Sequence, residues 1–320
     1  MTGVAKIPVT VAEVVQVNPL IKRFRFIRPD GAPMPAFSGG AHTVVEMQDG
    51  PIRRMNPYSL MGNPADLSGY EISVRRDDTG RGGSLYLHNH VIPGMQMVIS
   101  HPVNLFPLDL RARKHLLIAG GIGITPFLAQ IAQLSAMNAR FELHYSARSP
   151  ALGAYMADLK TRHGDRIHLY YDDAKQLVPL ASLLTGQPLG THLYICGPKG
   201  MIHWVRTAAE QAGWPQAALH HEEFQAPPVG KPFDVTLQAS GKTFTVAGHQ
   251  SLLEAIEAAG VDAPYLCRGG ACGQCETDVL ACHGQIQHND HWLTDAQKAS
   301  GTKIMPCVSR FEGRSLVLDR

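Results

Sequence analysis

Apolar and polar positions alternate at both ends of this chain, while its middle follows a longer period. Near the N-terminus, short β-rich runs such as Val9-Thr10-Val11, Phe24-Arg25-Phe26-Ile27, Thr43-Val44-Val45-Glu46 and Met97-Val98-Ile99 are punctuated by proline and glycine. That spacing predicts a small antiparallel β-barrel. In the middle, Leu116-Leu117-Ile118-Ala119 reads as a buried strand feeding a glycine turn, after which Phe127, Leu128, Ile131 and Leu134 recur at helical spacing. Further strand-like runs at 141–145, 167–171 and 192–196 alternate with helical stretches, the signature of an α/β unit with a parallel sheet. At the C-terminal end, Phe233-Asp234-Val235-Thr236-Leu237 and Thr243-Phe244-Thr245-Val246 flank a Ser240-Gly241 turn and read as a hairpin. Ser251-Leu252-Leu253-Glu254 follows as a capping-box helix start.

The segment Gln225-Ala226-Pro227-Pro228-Val229-Gly230-Lys231-Pro232 carries three prolines and a glycine, a composition that favours extended, non-helical chain. It separates the last module from everything before it. A chain of 320 residues is expected to form two or three domains. The patterns divide it into a β-barrel at 1–107, an α/β domain at 108–226 and an α+β, ferredoxin-like (β-grasp) unit at 233–320.

Charge and composition narrow the partners. The net charge is +2, with lysine and arginine spread along the chain, so there is no basic stripe of the kind that binds nucleic acid. The start Met1-Thr2-Gly3-Val4-Ala5-Lys6 has no apolar core behind a basic head, and no run approaches the length of a membrane span. A soluble, cytoplasmic protein without a membrane partner is the expectation.

The chemistry lies in the cysteines. Cys267, Cys272 and Cys275 stand in Cys267-Arg268-Gly269-Gly270-Ala271-Cys272-Gly273-Gln274-Cys275, and Cys307 follows after a long gap. C-x4-C-x2-C with a distant fourth cysteine is plant-type ferredoxin spacing and predicts a [2Fe-2S] cluster. Three glycines let the backbone wrap closely and aim amide N–H groups at the cluster sulfurs. Zinc sites use paired C-x2-C elements or histidines at matching spacing, and here the spacing is lopsided. Cluster thiols also require a reducing compartment. Cys282 reads as a spare thiol on a strand. The sixteen histidines, His88, His90, His220 and His221 among them, show no set at metal-ligand spacing and read as surface or packing residues.

Two other kinds of segment read as phosphate sites. After the 116–119 strand, Gly120-Gly121-Ile122-Gly123-Ile124-Thr125-Pro126 forms a strand–turn–helix junction in which Thr125 can cap the helix and Pro126 suits its first turn. Free amides there point at an anion such as a dinucleotide pyrophosphate. In the first module, Arg54-Met55-Asn56-Pro57-Tyr58-Ser59-Leu60 and the stretch Arg75 to Ser84 look chemical. The second offers glycine amides, a hydroxyl and arginines around one point, as a phosphate monoester needs. A mobile basic loop is the alternative.

Taken in order, Tyr58-Ser59-Leu60, Gly80-Arg81-Gly82-Gly83-Ser84, Gly120 through Pro126, Cys196-Gly197-Pro198 and the cysteine pattern resemble the phthalate dioxygenase reductase family along nearly the whole chain. The resemblance implies an FMN barrel, an NADH domain and a plant-type ferredoxin domain, serving as a monomer a Rieske-type oxygenase that acts on an aromatic acid such as phthalate. It implies that Tyr58, with Val74 nearby, lines the isoalloxazine. Ser59 and the Leu60 backbone would bond the ring, Arg75, Gly82, Gly83 and Ser84 would hold the phosphate, and Phe224 would pack by the flavin. Members of the family show Arg-x-Tyr-Ser-Leu; here Asn56 occupies the arginine position and Arg54 is displaced by two residues. On the nucleotide side the resemblance implies Gly120, Gly121, Gly123, Thr125 and Pro126 at the pyrophosphate, with Ser146 and Arg148 as ribose or adenosine contacts; Arg148 suits a 2′-phosphate equally, so the preference for NADH rests on the resemblance and not on residues. Cys196, Gly197 and Pro198 would lie by the nicotinamide; Cys196 also reads as a buried cysteine ending a strand.

The implied module order has a chemical logic, because a hydride carries two electrons, a [2Fe-2S] cluster accepts one, and a flavin converts between them. No general base is called for. Two other readings stay open: a non-enzymatic redox sensor or carrier, which needs no nicotinamide pocket, and an FAD-dependent reductase of a diiron hydroxylase, which places its ferredoxin module first.

Overall fold

Strand alternation builds the first module. In a computed structural model that describes residues 5–320, Ile7, Val9 and Val11 of β1 (Lys6–Asn18) point inward and their neighbours outward. The start read above for a leader, Met1–Val4, lies outside the described residues. With β2 (Ile21–Ile27), β3 (Ala41–Asp49), β4 (Ile52–Ser59), β5 (Tyr70–Arg75), β6 (Gln96–Ser100) and β7 (Val103–Asn104), β1 forms one sheet in the order β4-β3-β6-β1-β2-β5, with β7 beside β3. Every pairing is antiparallel. Just past β4, Met61 forms an isolated antiparallel bridge to Glu71 of β5, so the sheet curls towards a barrel. Helix α1 (Gly83–His90) plugs one end, with Leu87 in a core of Phe24, Phe26, Leu60, Tyr70 and Ile72.

The second sheet is parallel. Strands β8 (Lys114–Gly120), β9 (Phe141–Ala147), β10 (Ile167–Tyr171), β11 (Thr191–Cys196) and β12 (Leu219–Glu222) lie in the order β10-β9-β8-β11-β12. Both faces are covered, as a parallel sheet demands. Leu117, Ala119, Leu143 and Tyr145 pack on α2 (Thr125–Ala136) and α3 (Met156–His163), while Leu116, Ile118, Leu193 and Ile195 pack on α4 (Leu180–Thr185) and α5 (Lys199–Gln211). Strand order reverses between β8 and β11, so the crevice at their C-terminal ends is the ligand position of this topology. Gly120–Gly123 and Gly197-Pro198 both sit there.

The third sheet orders β14 (Lys242–Val246), β13 (Phe233–Leu237), β17 (Arg310–Leu318), β15 (Thr277–Gln287) and β16 (Lys303–Ile304). The 233–246 hairpin pairs in register from Phe233–Val246 to Leu237–Lys242. Helix α6 (Leu252–Ala258) starts with a reciprocal capping box, Ser251 Oγ accepting from Glu254 N and Glu254 accepting from Ser251 N. A second capping box at Thr294 and Gln297 opens α7 (Asp295–Ser300). The proline-rich connection is pinned to this module, because Arg310 donates to the carbonyls of Lys231 and Gln250 at 2.8 Å each and Asn289 donates to the Ala226 carbonyl at 2.8 Å. Among the described residues no helix is long and apolar enough to cross a membrane.

Candidate electron-transfer site

The pairing of β3 with β4 sets one wall of a cleft of about 440 Å³. Tyr58 and Ser59 line it together with Asn56, Pro57, His42 and Arg81. His42 stands opposite Ser59 in the strand register, and both His42 Nε2 and Ser59 Oγ are buried with no hydrogen-bond partner. Unpaired buried polar atoms are costly, so this edge offers two polar atoms to whatever occupies the cleft. Burial pushes the His42 imidazole down to about 4, and burial, partly opposed by Asn56 and Arg81, pushes the Tyr58 hydroxyl up to about 12; neither carries charge near neutral pH.

The glycine loop lies beside this wall. Gly82 adopts φ +96 at the start of α1, and a Cβ there would stand 3.1 Å from Arg54 Nη2. A Cβ on Gly83 would meet Asn56 Nδ2 at 2.3 Å. Glycine is needed at both positions, the first for conformation and the second for close approach. The structure resolves the Arg54 displacement: Arg54 donates through Nε to the Arg81 carbonyl at 2.8 Å and pairs with Asp49 at 3.0 Å, so it braces the loop backbone. Asn56 instead accepts from Arg81 Nη2 at 3.2 Å.

A second cleft, about 550 Å³, opens at the switch point of the parallel sheet. Gly120, Gly121, Gly123, Ser146, Arg148, Gly197 and Pro198 line it, joined by Asp172, Lys199, Met201 and Trp204. A Cβ on Gly123 would lie 2.3 Å from the Cys196 carbonyl oxygen, and one on Gly120 would lie 2.7 Å from Pro198 Cδ. The glycines therefore let the turn after β8 press against the turn after β11. Glu223 and Phe224 line both clefts, and Phe224 is 48% exposed. That one aromatic ring stands on the boundary between them.

The cysteine loop closes the first cleft, with Cys267, Gly269 and Ala271 on its wall. All four thiols are free; Cys267, Cys275 and Cys307 are buried and Cys272 is partly exposed. Cys267 neighbours Cys272, and Cys275 neighbours Cys307. Arg268, Gly270 and Gly273 all have positive φ (50, 75 and 77), which turns the loop's amides inward. Gly269 N donates to Cys267 Sγ at 3.3 Å. The thiol of Cys272, followed by amides of Gly269, Ala271 and Cys272, draws Cys267 down to about 5, and Cys272, as the donor of that pair, is pushed up. Converging soft thiols under amide donors fit a [2Fe-2S] cluster. The loop glycines act differently from one another. A Cβ on Gly270 would strike Val308 and one on Gly273 would enter the Trp292 ring at 2.3 Å, whereas Gly269 meets nothing closer than 3.7 Å.

Several sequence expectations land elsewhere. Leu60 and Val74 are core residues, and the Leu60 amide is spent on the Ala41 carbonyl at 2.8 Å. Ser84 Oγ accepts from Asp77 N at 3.0 Å, which ties its own loop together. Arg75 lines the second cleft and not the first. Thr125 does not cap α2: a 3-10 turn over Gly121–Ile124 precedes the helix, and the Thr125 hydroxyl donates to the Ile122 carbonyl at 3.0 Å. Thr125, Pro126 and Cys196 are buried away from the cleft surface; burial, with the nearby Glu222 and Glu223, raises the Cys196 thiol well above its usual range. The histidine reading needs one correction. Glu142, His144 and His168 bring three ligand-type atoms within 4.8 Å of one another, because His144 and His168 meet across the β9–β10 register. Lys114 Nζ already neutralises Glu142 at 2.8 Å and Tyr170 bonds His144 Nδ1 at 2.9 Å, so the group is an ion-paired cluster in its own right. Sequence reasoning missed His42 as a cleft residue. For His42 the alternation of β3 was the one available signal.

Two sets of substitutions test this geometry. Serine at any of Cys267, Cys272, Cys275 or Cys307 is expected to remove most of the bound iron and acid-labile sulfide, since a hydroxyl is a poor replacement for a soft thiolate. Cys282→Ser should leave both unchanged; normal iron content in two of the four variants would refute the ligand set. Gly83→Asp, which drives a carboxylate into Asn56 and any bound phosphate, should weaken FMN retention by about tenfold or more, read by flavin fluorescence on dilution.

The model of the N-terminal domain of the dimethylamine monooxygenase subunit DmmA-like family matches residues 97–219, and that of the 2Fe-2S iron-sulfur cluster binding domain matches residues 235–312. The carnitine monooxygenase reductase subunit of Acinetobacter baumannii is 44% identical, covering 98% of this chain and 97% of its own. The heme-dependent oxidative N-demethylase beta subunit of Ectopseudomonas mendocina is also 44% identical, over 97% and 98%. A solved phthalate dioxygenase reductase, described as a modular structure for electron transfer from pyridine nucleotides to [2Fe-2S], superposes with a TM-score of 0.89 at 34% identity, covering 99% of this chain and 98% of that one. With its two clefts, its thiol loop and relatives matched end to end, the chain belongs to the phthalate dioxygenase reductase-like family of oxidoreductases, the flavin and [2Fe-2S] reductase subunits of oxygenase systems.

Proposed function

We propose that this chain takes hydride from NADH onto FMN and passes single electrons through a [2Fe-2S] cluster to a Rieske-type oxygenase in the cytoplasm. The observation that carries this reading is the shared wall: Glu223 and Phe224 belong to both clefts, while Cys267, Gly269 and Ala271 belong to the first. A flavin bound there supplies the exchange of a two-electron donor for a one-electron acceptor.

The residues divide the work among the proposed modules 1–107, 108–226 and 233–320. Tyr58 and Pro57 offer an apolar wall to a ring, and Ser59 Oγ and His42 Nε2 offer it two polar contacts. Asn56 and Arg81, with the adjoining glycine loop at Gly82 and Gly83, would hold the phosphate. On the other side, the turn amides at Gly121–Gly123 face a pyrophosphate, and Ser146 and Arg148 face a ribose. Asp172 on the same wall favours a free ribose 2′-hydroxyl, which supports NADH. Phe224, on the boundary of the two clefts, would cover a flavin ring from the nucleotide side and shield it from water. No side chain is asked to move a proton to the substrate; positioning carries the rate.

The terminal substrate belongs to the oxygenase. Relatives carry names from carnitine to vanillate and phthalate, so the aromatic acid of the family resemblance is not part of this proposal.

A fragment ending at Gln225 separates the two halves of the proposal. It should retain FMN and reduce ferricyanide with NADH near the rate of the whole chain, yet fail to reduce an oxygenase, since the cluster is the exit for single electrons. Stopped-flow mixing with NADH, followed by oxygenase turnover, reads both. Equal oxygenase reduction by fragment and whole chain would remove the cluster from the path; faster turnover with a heme oxygenase than with a Rieske one would replace the proposed partner.

A further inference from the structure

Flavin and cluster modules are joined by a contact that neither the fold nor the family assignment explains. Arg81, in the glycine loop between β5 and α1, pairs with Glu254 in the first turn of α6 at 2.6 Å, and the two side chains are only 7% and 6% exposed. The same carboxylate accepts from Met55 N in β4 at 3.2 Å and from Ser251 N at 2.8 Å. The same guanidinium donates to Asn56 Oδ1 at 3.2 Å and to the His249 carbonyl at 3.4 Å. Cleft wall, glycine loop and cluster-module helix are thus stitched through one buried pair.

We propose that Arg81 and Glu254 are positioning residues for the electron-transfer step: their pair holds the cluster module in the one orientation that keeps the Cys267 loop on the wall of the flavin cleft. This inference rests on the proposed path from that cleft to the cluster. Interfaces between domains of one chain are by default loose, and a buried charge pair earns little stability because desolvation offsets attraction. What such a pair supplies is discrimination. Any rotation of the module that separates the charges leaves a guanidinium and a carboxylate unpaired and without full hydration, whereas an apolar contact would tolerate sliding. Burial works against ionisation of Glu254, and Arg81 with the amides of Ser251 and Met55 outweighs it, so the carboxyl lies below its ordinary range. On the other flank, Gln225 and Glu223 hold His291 at 3.1 and 3.2 Å; those contacts tie the nucleotide domain's tail to the cluster module at the far side of the same cleft, away from the glycine loop. Across the flavin–cluster boundary, Arg81–Glu254 is the buried ion pair among the described residues.

Glu254→Gln in the full-length holoprotein is the clean variant. Glutamine keeps one carbonyl oxygen for the cap on Ser251 N, and it removes the charge together with the second acceptor, the one used by Met55 N. Anaerobic stopped-flow with NADH should show flavin bleaching at the wild-type rate, cluster bleaching slowed by about tenfold or more, and faster proteolysis within 225–232. Glu254→Asp should recover part of the cluster rate, which a merely structural loss would not do. Unchanged cluster reduction and unchanged proteolysis in Glu254→Gln would overturn the inference, as would a defect confined to flavin bleaching. Failure of NADH to reduce the cluster in the wild-type chain would instead refute the electron path itself.

Discussion

Everything in this molecule depends on one short segment, the end of β12 and the turn beyond it, because hydride transfer demands two flat rings in contact with water excluded. Glu223 and Phe224 occur in the wall of the flavin-side cleft and in that of the nucleotide-side cleft. A parallel sheet delivers its strand ends to one edge, and the switch point between β8 and β11 opens the crevice there. Strand β12 runs beside β11 in the same direction, so its C-terminal end arrives at the crevice, and the chain that leaves it must pass the antiparallel sheet before reaching the third module.

The third module then has to be held, and the two kinds of contact that hold it differ in character. The connection after Phe224 is tied down by backbone carbonyls, through Arg310 at Lys231 and Asn289 at Ala226. The flavin face is tied by charge, through Arg81 and Glu254. Carbonyl contacts fix where the module begins; the ion pair selects how it is turned. The cysteine loop profits from both. Its amides converge on Cys267 and its outer surface is closed by Trp292 over Gly273.

Much of this was legible in the sequence wherever the cause is local. The cysteine spacing, the 233–246 hairpin, the capping box at Ser251 and Glu254 and the parallel order of the central sheet each follow from residues close together in the chain or from a repeating period. Pairings across the fold were hidden. Arg81 and Glu254 are 173 residues apart, and nothing in either neighbourhood announces the other. The orphaned Ser59 Oγ and His42 Nε2 depend on the β3–β4 register. Thr125 was misread because its hydroxyl has a nearer carbonyl, that of Ile122, in the 3-10 turn before the helix, a local competition that cap statistics do not resolve. The shift of an arginine from position 56 to 54 was visible, while its consequence required knowing that Arg54 turns to the loop backbone and leaves Arg81 at the cleft.

The central claim is that one chain holds a two-electron and a one-electron centre on a common wall. An anaerobic reductive titration of the purified full-length protein, followed by visible absorbance and by electron paramagnetic resonance, tests it most directly. The account predicts uptake of about three electrons per chain, with flavin and cluster both reduced by NADH and the cluster signal appearing only with flavin present. Uptake of about one or two electrons, or a cluster reduced by NADH at the same rate after the flavin is stripped, would contradict it.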